Sequence, residues 1–482
     1  MQSKTIIIVL FTLFVCIQVL SQPVPTNYIR TIYISSSEGN DLFPGTLTLP
    51  RRTIASLTDK ERTQSRILLK SGDIFYENIN NCHYCEIGTY GKGSSPILTG
   101  LFMLKNTNAW EKLNNNIWRL DFSKIQNFTG FAYSNHTFNN QTGNIGCIYD
   151  AKNRHIYGNL VSHPDSLKSD GDYFISRTYK REQTGPDTFR YLLFRYSTNP
   201  GLLGNLCFTA GAYGPSKLFN TFFHDISIIG FGYHALTALD STLVSRCNID
   251  MIGGSILLDY EKWIRFGNGV EVNVSHQPRF NVLVENCTIS RTYDTATTIQ
   301  GSRNSIQNPG NIRFTSNNIL HCRQAFEWYM NSVDTQPQYI DCQFTNNIII
   351  YSGENLFNIP HRMNDCCFLT YQSKPSYIDI SGNVCIGSNY YCAVRLAPSL
   401  HDNKLYLSPQ NYLCIQDYYQ PQNAIYPHTE DDIQQFRAFT MDNSSLFPLT
   451  EKIIKQYNYQ RLMKQIHRNI NQIIKSLNNL NS

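Results

Sequence analysis

Five segments in the middle of the chain share one pattern: an apolar residue, a polar turn centred on Cys or Asn, and a second apolar residue. They are 243–249, 284–289, 314–319, 344–348 and 380–385. Their turn positions Cys247, Cys287, Asn317, Asn346 and Asn383 recur at 40, 30, 29 and 37 residues. A loose repeat of this size predicts a solenoid, in which each coil contacts only its neighbours. Asn suits such a turn because it tolerates left-handed backbone angles and can hydrogen-bond the backbone. Stacked on consecutive coils, Asn side chains can also bond one another in a ladder. Next to the turns the apolar residues alternate, as Val282/Val284, Ile312/Phe314 and Ile378/Ile380 do. That period of two puts one side of every strand in the core.

The N-terminal third supplies the entry to such a coil. Arg30–Ser35 reads as a strand, followed by Gly39-Asn-Asp41, Pro44-Gly-Thr46 and Pro50-Arg-Arg-Thr-Ile54. Then come Lys70-Ser-Gly-Asp73 and Tyr90-Gly-Lys-Gly93. In order and spacing these segments resemble the N-terminal coils of secreted right-handed parallel β-helix proteins, the pectate-lyase-like group. The resemblance resumes at Ile117-Trp-Arg-Leu-Asp121, runs through the repeats, and includes Phe436–Ser445 as final coils. It covers about residues 30 to 448. It implies an all-β, right-handed parallel β-helix, the pectin lyase fold, but no single reaction, because this architecture carries lyases, hydrolases, isomerases and non-catalytic adhesins.

Two regions break the rhythm. Residues 122–225 read as a long excursion, with strands expected at 189–196 and 206–209. At the C-terminus, Tyr459, Met463, Ile466, Ile470, Ile473, Leu477 and Leu480 are spaced alternately by 4 and 3. That spacing predicts an amphipathic helix. Its apolar stripe suits packing on the solenoid, oligomerisation, or contact with an acidic surface.

Composition changes the picture at three points. The net charge of +5 equals the excess of six Lys/Arg over one Glu within residues 449–482, so the basic balance belongs to the tail and does not argue for nucleic acid binding. Residues 1–21, a basic start followed by a short apolar run, read as a signal peptide, too short to span a bilayer. The organisation expected is therefore a signal at 1–21, a β-helix domain at 22–448 and a helical tail at 449–482, in a secreted protein. Sequons at Asn127, Asn135, Asn140, Asn273 and Asn443 are candidate glycosylation sites; Asn286, in a packed turn, is not taken as one. Fourteen cysteines, with Cys16 in the signal, lead to an expectation of some disulfide pairing outside the cell. Cys82-His-Tyr-Cys85 lacks the second pair a zinc finger needs, and reads as a local disulfide or free thiols.

Candidate chemistry lies in Arg265-Phe-Gly-Asn-Gly-Val-Glu-Val-Asn273 and Ala325-Phe-Glu-Trp-Tyr329. If Val270, Val272, Phe326 and Trp328 face the core, alternation turns Glu271 and Glu327 outward. Asp294 lies on the coil between. Two coils at strand spacing separate the glutamates by roughly 10 Å. Glycoside hydrolysis needs carboxylates about 5–5.5 Å apart for retention and about 6.5–9.5 Å apart for inversion. The three carboxylates therefore read either as catalytic groups or as solvated residues that bind Arg265, Arg323 or a cation. Arg265, Asn268, Tyr293, His361 and Arg362 are the candidate substrate contacts, each also readable as a loop residue. His234 reads as a packed coil residue.

The chain departs from polygalacturonases, whose Asn-Thr-Asp, Asp-Asp, Gly-His-Gly and Arg-Ile-Lys set it lacks, and from pectate lyases with their acidic calcium cluster. Phosphate-loop, His-Glu-x-x-His and Gly-x-Ser-x-Gly motifs are absent too. The leading expectation is a glycoside hydrolase that acts on a polysaccharide without a cofactor. A polysaccharide lyase, which could use calcium, and a glycan-binding adhesin are the alternatives.

Overall fold

The structure is a computed structural model. It describes residues 27–479 except 105–106, 115, 123–127, 131–143, 179–187, 204–205, 260–261, 266, 276–278, 302–307, 331–338, 354–365, 371–377, 395–399, 409, 416–423, 426–427 and 441. The architecture is the parallel β-helix that the repeats and the resemblance predict. Two ten-stranded sheets and one eight-stranded sheet run along it. In each, the hydrogen-bonded neighbours come from successive coils. The third sheet begins at Leu236–Thr237 and continues through Val270–Asn273, Thr295–Gly301, Gln324–Met330 and Cys366–Thr370. Its pairs are parallel until a closing antiparallel one between Tyr412–Ile415 and Ala424–Ile425.

The core is one continuous apolar column inside the three sheets. Val270, Val272, Ile299, Phe326 and Trp328 all point into it with Val284, Phe314 and Phe344. Phe326 stacks on Phe344 at 4.8 Å and on Trp328 at 5.3 Å. Such offset aromatic pairs add to the burial of their area.

The repeated turn carries a polar ladder, shifted by one residue from its expected place in one coil. The backbone N–H of Cys287 donates to Asn317 Oδ1, that of Asn317 to Asn347 Oδ1, that of Asn347 to Asn383 Oδ1, and that of Asn383 to Asn403 Oδ1, each at 2.9 Å. Asn347 rather than Asn346 is the ladder residue, and Asn403 extends the series. Asn346 takes the preceding position, which has positive φ in every repeat: Arg246, Asn286, Ser316, Asn346, Gly382 and Asp402. Where two Asn stand together the residue types do not distinguish the two positions. The same register leaves Asn286 exposed at its turn rather than packed.

The chain leaves the coil earlier than residue 122. Leu101–Leu104, Phe128–Gly130, Ile148–Asp150, His155–Tyr157 and Leu206–Thr209 form an antiparallel sheet. Trp110–Asn114, Ile117–Asp121, Tyr173–Thr178 and Thr188–Arg195 form another. Ile117–Asp121 is thus an excursion strand, paired antiparallel with residues of Thr188–Arg195, and not a coil strand. Both predicted excursion strands are present. The excursion has its own apolar centre around Phe102, Tyr173, Phe194 and Phe208.

The terminal helix, Tyr459–Asn479, lies along the outer face of the second sheet. Ile470, Ile473, Ile474 and Leu477 pack with Ile97, Ile229, Met251 and excursion residues Met103 and Tyr149. Tyr459, Leu462 and Met463 cover Leu320, Ile350 and Ile386. The apolar stripe is therefore used within the chain. Each buried Ile or Leu contributes roughly 1.5–3 kcal/mol, which explains why the outward residues of this sheet are themselves apolar. Among the described residues no helix is long and apolar enough to cross a membrane. Residues 1–21 lie outside the described ones. Among the described residues twelve cysteines are buried and unbridged, Cys82 and Cys85 among them, where they pack as small apolar side chains.

Candidate active site

The third sheet places Glu271, Thr298 and Glu327 in one column. Glu271 pairs with Thr298, and Thr298 with Glu327. Their neighbours Val270, Val272, Phe326 and Trp328 fill the core, so alternation turns the column outward. Two steps of strand spacing separate the glutamate backbones by roughly 10 Å. Although outward, the column is shielded: Glu271 is 4 % exposed and Glu327 5 %.

Three donors converge on the Glu271 carboxylate. Gln300 Nε2 donates to Oε1 at 2.5 Å and Asn273 Nδ2 to the same oxygen at 3.1 Å. His234 Nε2 is 3.2 Å from Oε2. The imidazole is oriented from behind, because the Asn268 backbone N–H donates to its Nδ1 at 3.1 Å. That contact leaves the proton on Nε2, aimed at the carboxylate. Asn273 and Gln300 reach Glu271 because they lie two residues on from Glu271 and Thr298, on the same outward face.

Glu327 sits in a different environment. Burial, then the negative charges of Asp294 and Glu271, push its carboxyl well above the usual range, with Arg323 opposing them. Tyr329, two residues on, has its phenol pushed up by burial and by the same three carboxylates. Asp294 stands beside the column, just before the strand Thr295–Gly301. Glu271, Asp294 and Glu327 are therefore brought together, as alternation predicts. Thr298 was not foreseen. Its Oγ1, between the two glutamates in register, is buried and has no hydrogen-bond partner among the described residues. The amide of Gln324, on the next coil, is in the same condition.

The expected substrate contacts divide. Arg265 is buried and turned inward: Nε donates to Gly254 O at 2.5 Å, Nη1 to Gly158 O at 2.6 Å, and Nη2 to Gly146 O and Tyr173 Oη at 2.7 Å. Its guanidinium also lies 4.4 Å over the ring of Tyr293, which is wholly buried. Both residues tie the excursion to the coil, and the Arg265 guanidinium is taken up by three carbonyls and the Tyr173 hydroxyl, in contrast to its expected role. Asn268 is buried and acts through its backbone on His234. His361 and Arg362 lie outside the described residues, as do Asn127, Asn135 and Asn140. Asn273 Nδ2 is engaged at Glu271, so a glycan on that nitrogen would displace a site contact. Asn443 is exposed.

His234, Gln300 and Tyr213 complete the surroundings. The Tyr213 ring lies 5.6 Å from that of His234 and 4.7 Å from that of Tyr233. Strand alternation after Thr298 could have found Gln300. No local signal points to His234 or Tyr213, which reach the site from earlier coils.

No family model matches the chain, and no curated protein matches it. Among solved structures it is similar to XylC in complex with xylose, with 8 % identity and a TM-score of 0.43, over 78 % of this chain and 68 % of that one. It is similar to the GH136 lacto-N-biosidase from Eubacterium ramulus, with 9 % identity and a TM-score of 0.36, over 87 % and 67 % of the two chains. A third structure, described as a glycoside hydrolase, aligns at 12 % identity with a TM-score of 0.36, over 81 % and 97 %.

Proposed function

We propose that the chain is a secreted carbohydrate-active enzyme, a glycoside hydrolase of inverting stereochemistry. One observation carries this reading: Glu271 and Glu327 share a shielded outward column but differ in surroundings, Glu271 held by hydrogen-bond donors and Glu327 raised by burial and by the charge of Asp294. Titratable pairs whose environments differ in this way mark acid and base roles. Glu327, kept protonated by burial and by its acidic neighbours, is the general acid that protonates the glycosidic oxygen. Glu271 accepts hydrogen bonds from Gln300 and Asn273, lies 3.2 Å from His234 Nε2, and serves as the general base. Two strand steps leave room between them for a water, as inversion requires. Thr298 Oγ1, in register between them, is the hydroxyl that positions that water. Asp294 holds Glu327 in its acid form and belongs to the same wall.

The test is a screen of the purified protein against neutral and acidic polysaccharides, with reducing ends, ultraviolet absorbance and the product anomer read together. New reducing ends with the inverted anomer, lost in Glu327→Gln, are expected. Unsaturated products would replace this reading with a lyase. Binding without turnover that survives Glu327→Gln would replace it with a glycan-binding protein.

A further inference from the structure

Tyr213 is a large aromatic residue left 40 % exposed beside the carboxylate cluster. It stacks on Tyr233 with the planes inclined by 30°. Tyr233 is fixed in turn: Asn144 Nδ2 donates to its hydroxyl at 2.8 Å, and its backbone N–H donates to Ala212 O at 3.1 Å. The Tyr213 backbone carbonyl accepts from Asn78 Nδ2 at 2.8 Å. The next residue, Gly214, lies so close to the coil that an added Cβ would come within 2.1 Å of Ala235 O. Only glycine allows that approach, and it seats Tyr213 rigidly against the Tyr233–His234 segment. Negative charge at Glu271 reaches the ring: burial, then Tyr233 and Glu271, push the phenol up to about 12.

We propose that Tyr213, backed by Tyr233, is a stacking platform for a neutral pyranose ring, and forms the sugar subsite next to Glu271. This inference rests on the proposed hydrolase reading and names its substrate class. A rigid aromatic face matches the C–H-lined face of a pyranose, and costs little ordering on binding because the protein side is already fixed. Neutrality follows from charge. Glu271 and Asp294 supply two negative charges against the one positive charge of Arg323, with Glu327 in its neutral acid form, and Arg265 is turned inward on Gly146, Gly158, Gly254 and Tyr173. A uronate carboxylate brought beside this cluster would meet like charge.

The experiment measures binding by calorimetry and saturation-transfer NMR in the Glu327→Gln background, so that turnover plays no part. The probes are cellobiose, xylobiose, lactose and digalacturonate. At least one neutral disaccharide is expected to bind, with affinity about three- to tenfold weaker in Tyr213→Ala and restored in Tyr213→Phe. Digalacturonate is expected to bind more weakly than that neutral probe. The inference is overturned if no neutral probe binds, if Tyr213→Ala binds as its parent does, or if digalacturonate binds best. Failure of the hydrolase reading shows separately, as absent hydrolysis by the wild type while Tyr213-dependent binding persists.

Discussion

Two polar columns climb this solenoid with the same coil spacing, and they treat their polar atoms in opposite ways. Along the turn, Asn317, Asn347 and Asn383 each accept through Oδ1 from the coil before and donate through the backbone to the coil after. Their Nδ2 groups donate to Val284 O, Phe314 O and Phe344 O. Every partner repeats from coil to coil, so the column is a fully satisfied network of the kind that rigidifies a fold. On the third sheet the column Glu271–Thr298–Glu327 changes residue type at each step. Glu271 draws three donors, the Thr298 hydroxyl has none of its own among the described residues, and Glu327 is buried against like charge. A repeat that satisfies itself holds the coils together. A repeat broken at three successive steps leaves unspent polar groups, which a substrate and a water can meet.

The sharpest way to break this contrast is Glu327→Gln. Loss of the acid is expected to lower kcat by about 10²–10⁴ on a substrate found in the screen. Stability is expected to move the other way. The folded-state carboxyl is raised, so its contribution is favourable below the unfolded value of 4.5 and is lost as pH rises. Glutamine does not ionise, so at pH 7–8 the variant should unfold at higher denaturant than the wild type, with the gap closing below pH 4.5. A variant that is both less stable at pH 8 and fully active would remove Glu327 from the site.

In the ladder the largest effect is on folding. Asn347→Leu leaves the Asn317 N–H and the Phe314 carbonyl without their partner, and is expected to cost about 2–4 kcal/mol in urea unfolding. Asn346→Gly, one residue away at a positive φ, is expected to stay within about 0.5 kcal/mol. Equal costs at the two positions would refute the register.

Thr298→Val removes a hydroxyl without changing shape. It is expected to lower kcat about tenfold with KM little changed, and Thr298→Ser should restore most of the rate. A loss of folding stability without a kcat effect would make Thr298 a strand residue only.

The sequence was legible where periodicity acts and silent where coils meet. Alternation placed Glu271 and Glu327 outward because Val270, Val272, Phe326 and Trp328 can only be core. The turn repeat predicts the solenoid even with Asn346 in place of Asn347, since a one-residue slip leaves the coil length almost unchanged. Arg265 misled because its residue type suggests an anion, whereas its partners are carbonyls from residues 146 and 158, over a hundred positions away. Tyr213 and His234 were hidden for the same reason. The contact of His234 with Glu271, and of Tyr213 with His234, is set by how coils stack, and no local pattern encodes it. The terminal helix was legible as a stripe, but which face it covers depended on apolar outward residues of the second sheet, such as Ile229, Leu320 and Ile350.

The smallest effect concerns that helix. Beneath it, Arg291 donates to Asp250 at 2.8 and 2.5 Å in a buried pair. His467 on the helix faces this pair together with Arg154 and His321. Burial, then Arg291 and Arg154, lower its pKa from 6.5, against Asp250. The unfolded state therefore binds the proton more readily, and docking of the helix loses stability as pH falls through 6.5. Amide exchange across residues 459–479 should be a few-fold faster at pH 5 than at pH 7.5, relative to the Asn317–Asn383 ladder in the same sample. His467→Gln should reduce that difference while the ladder stays protected at both pH values. If the ladder loosened with the helix, the two regions would unfold as one unit. The helix would then be part of the solenoid's own cooperativity and not a strap laid over it.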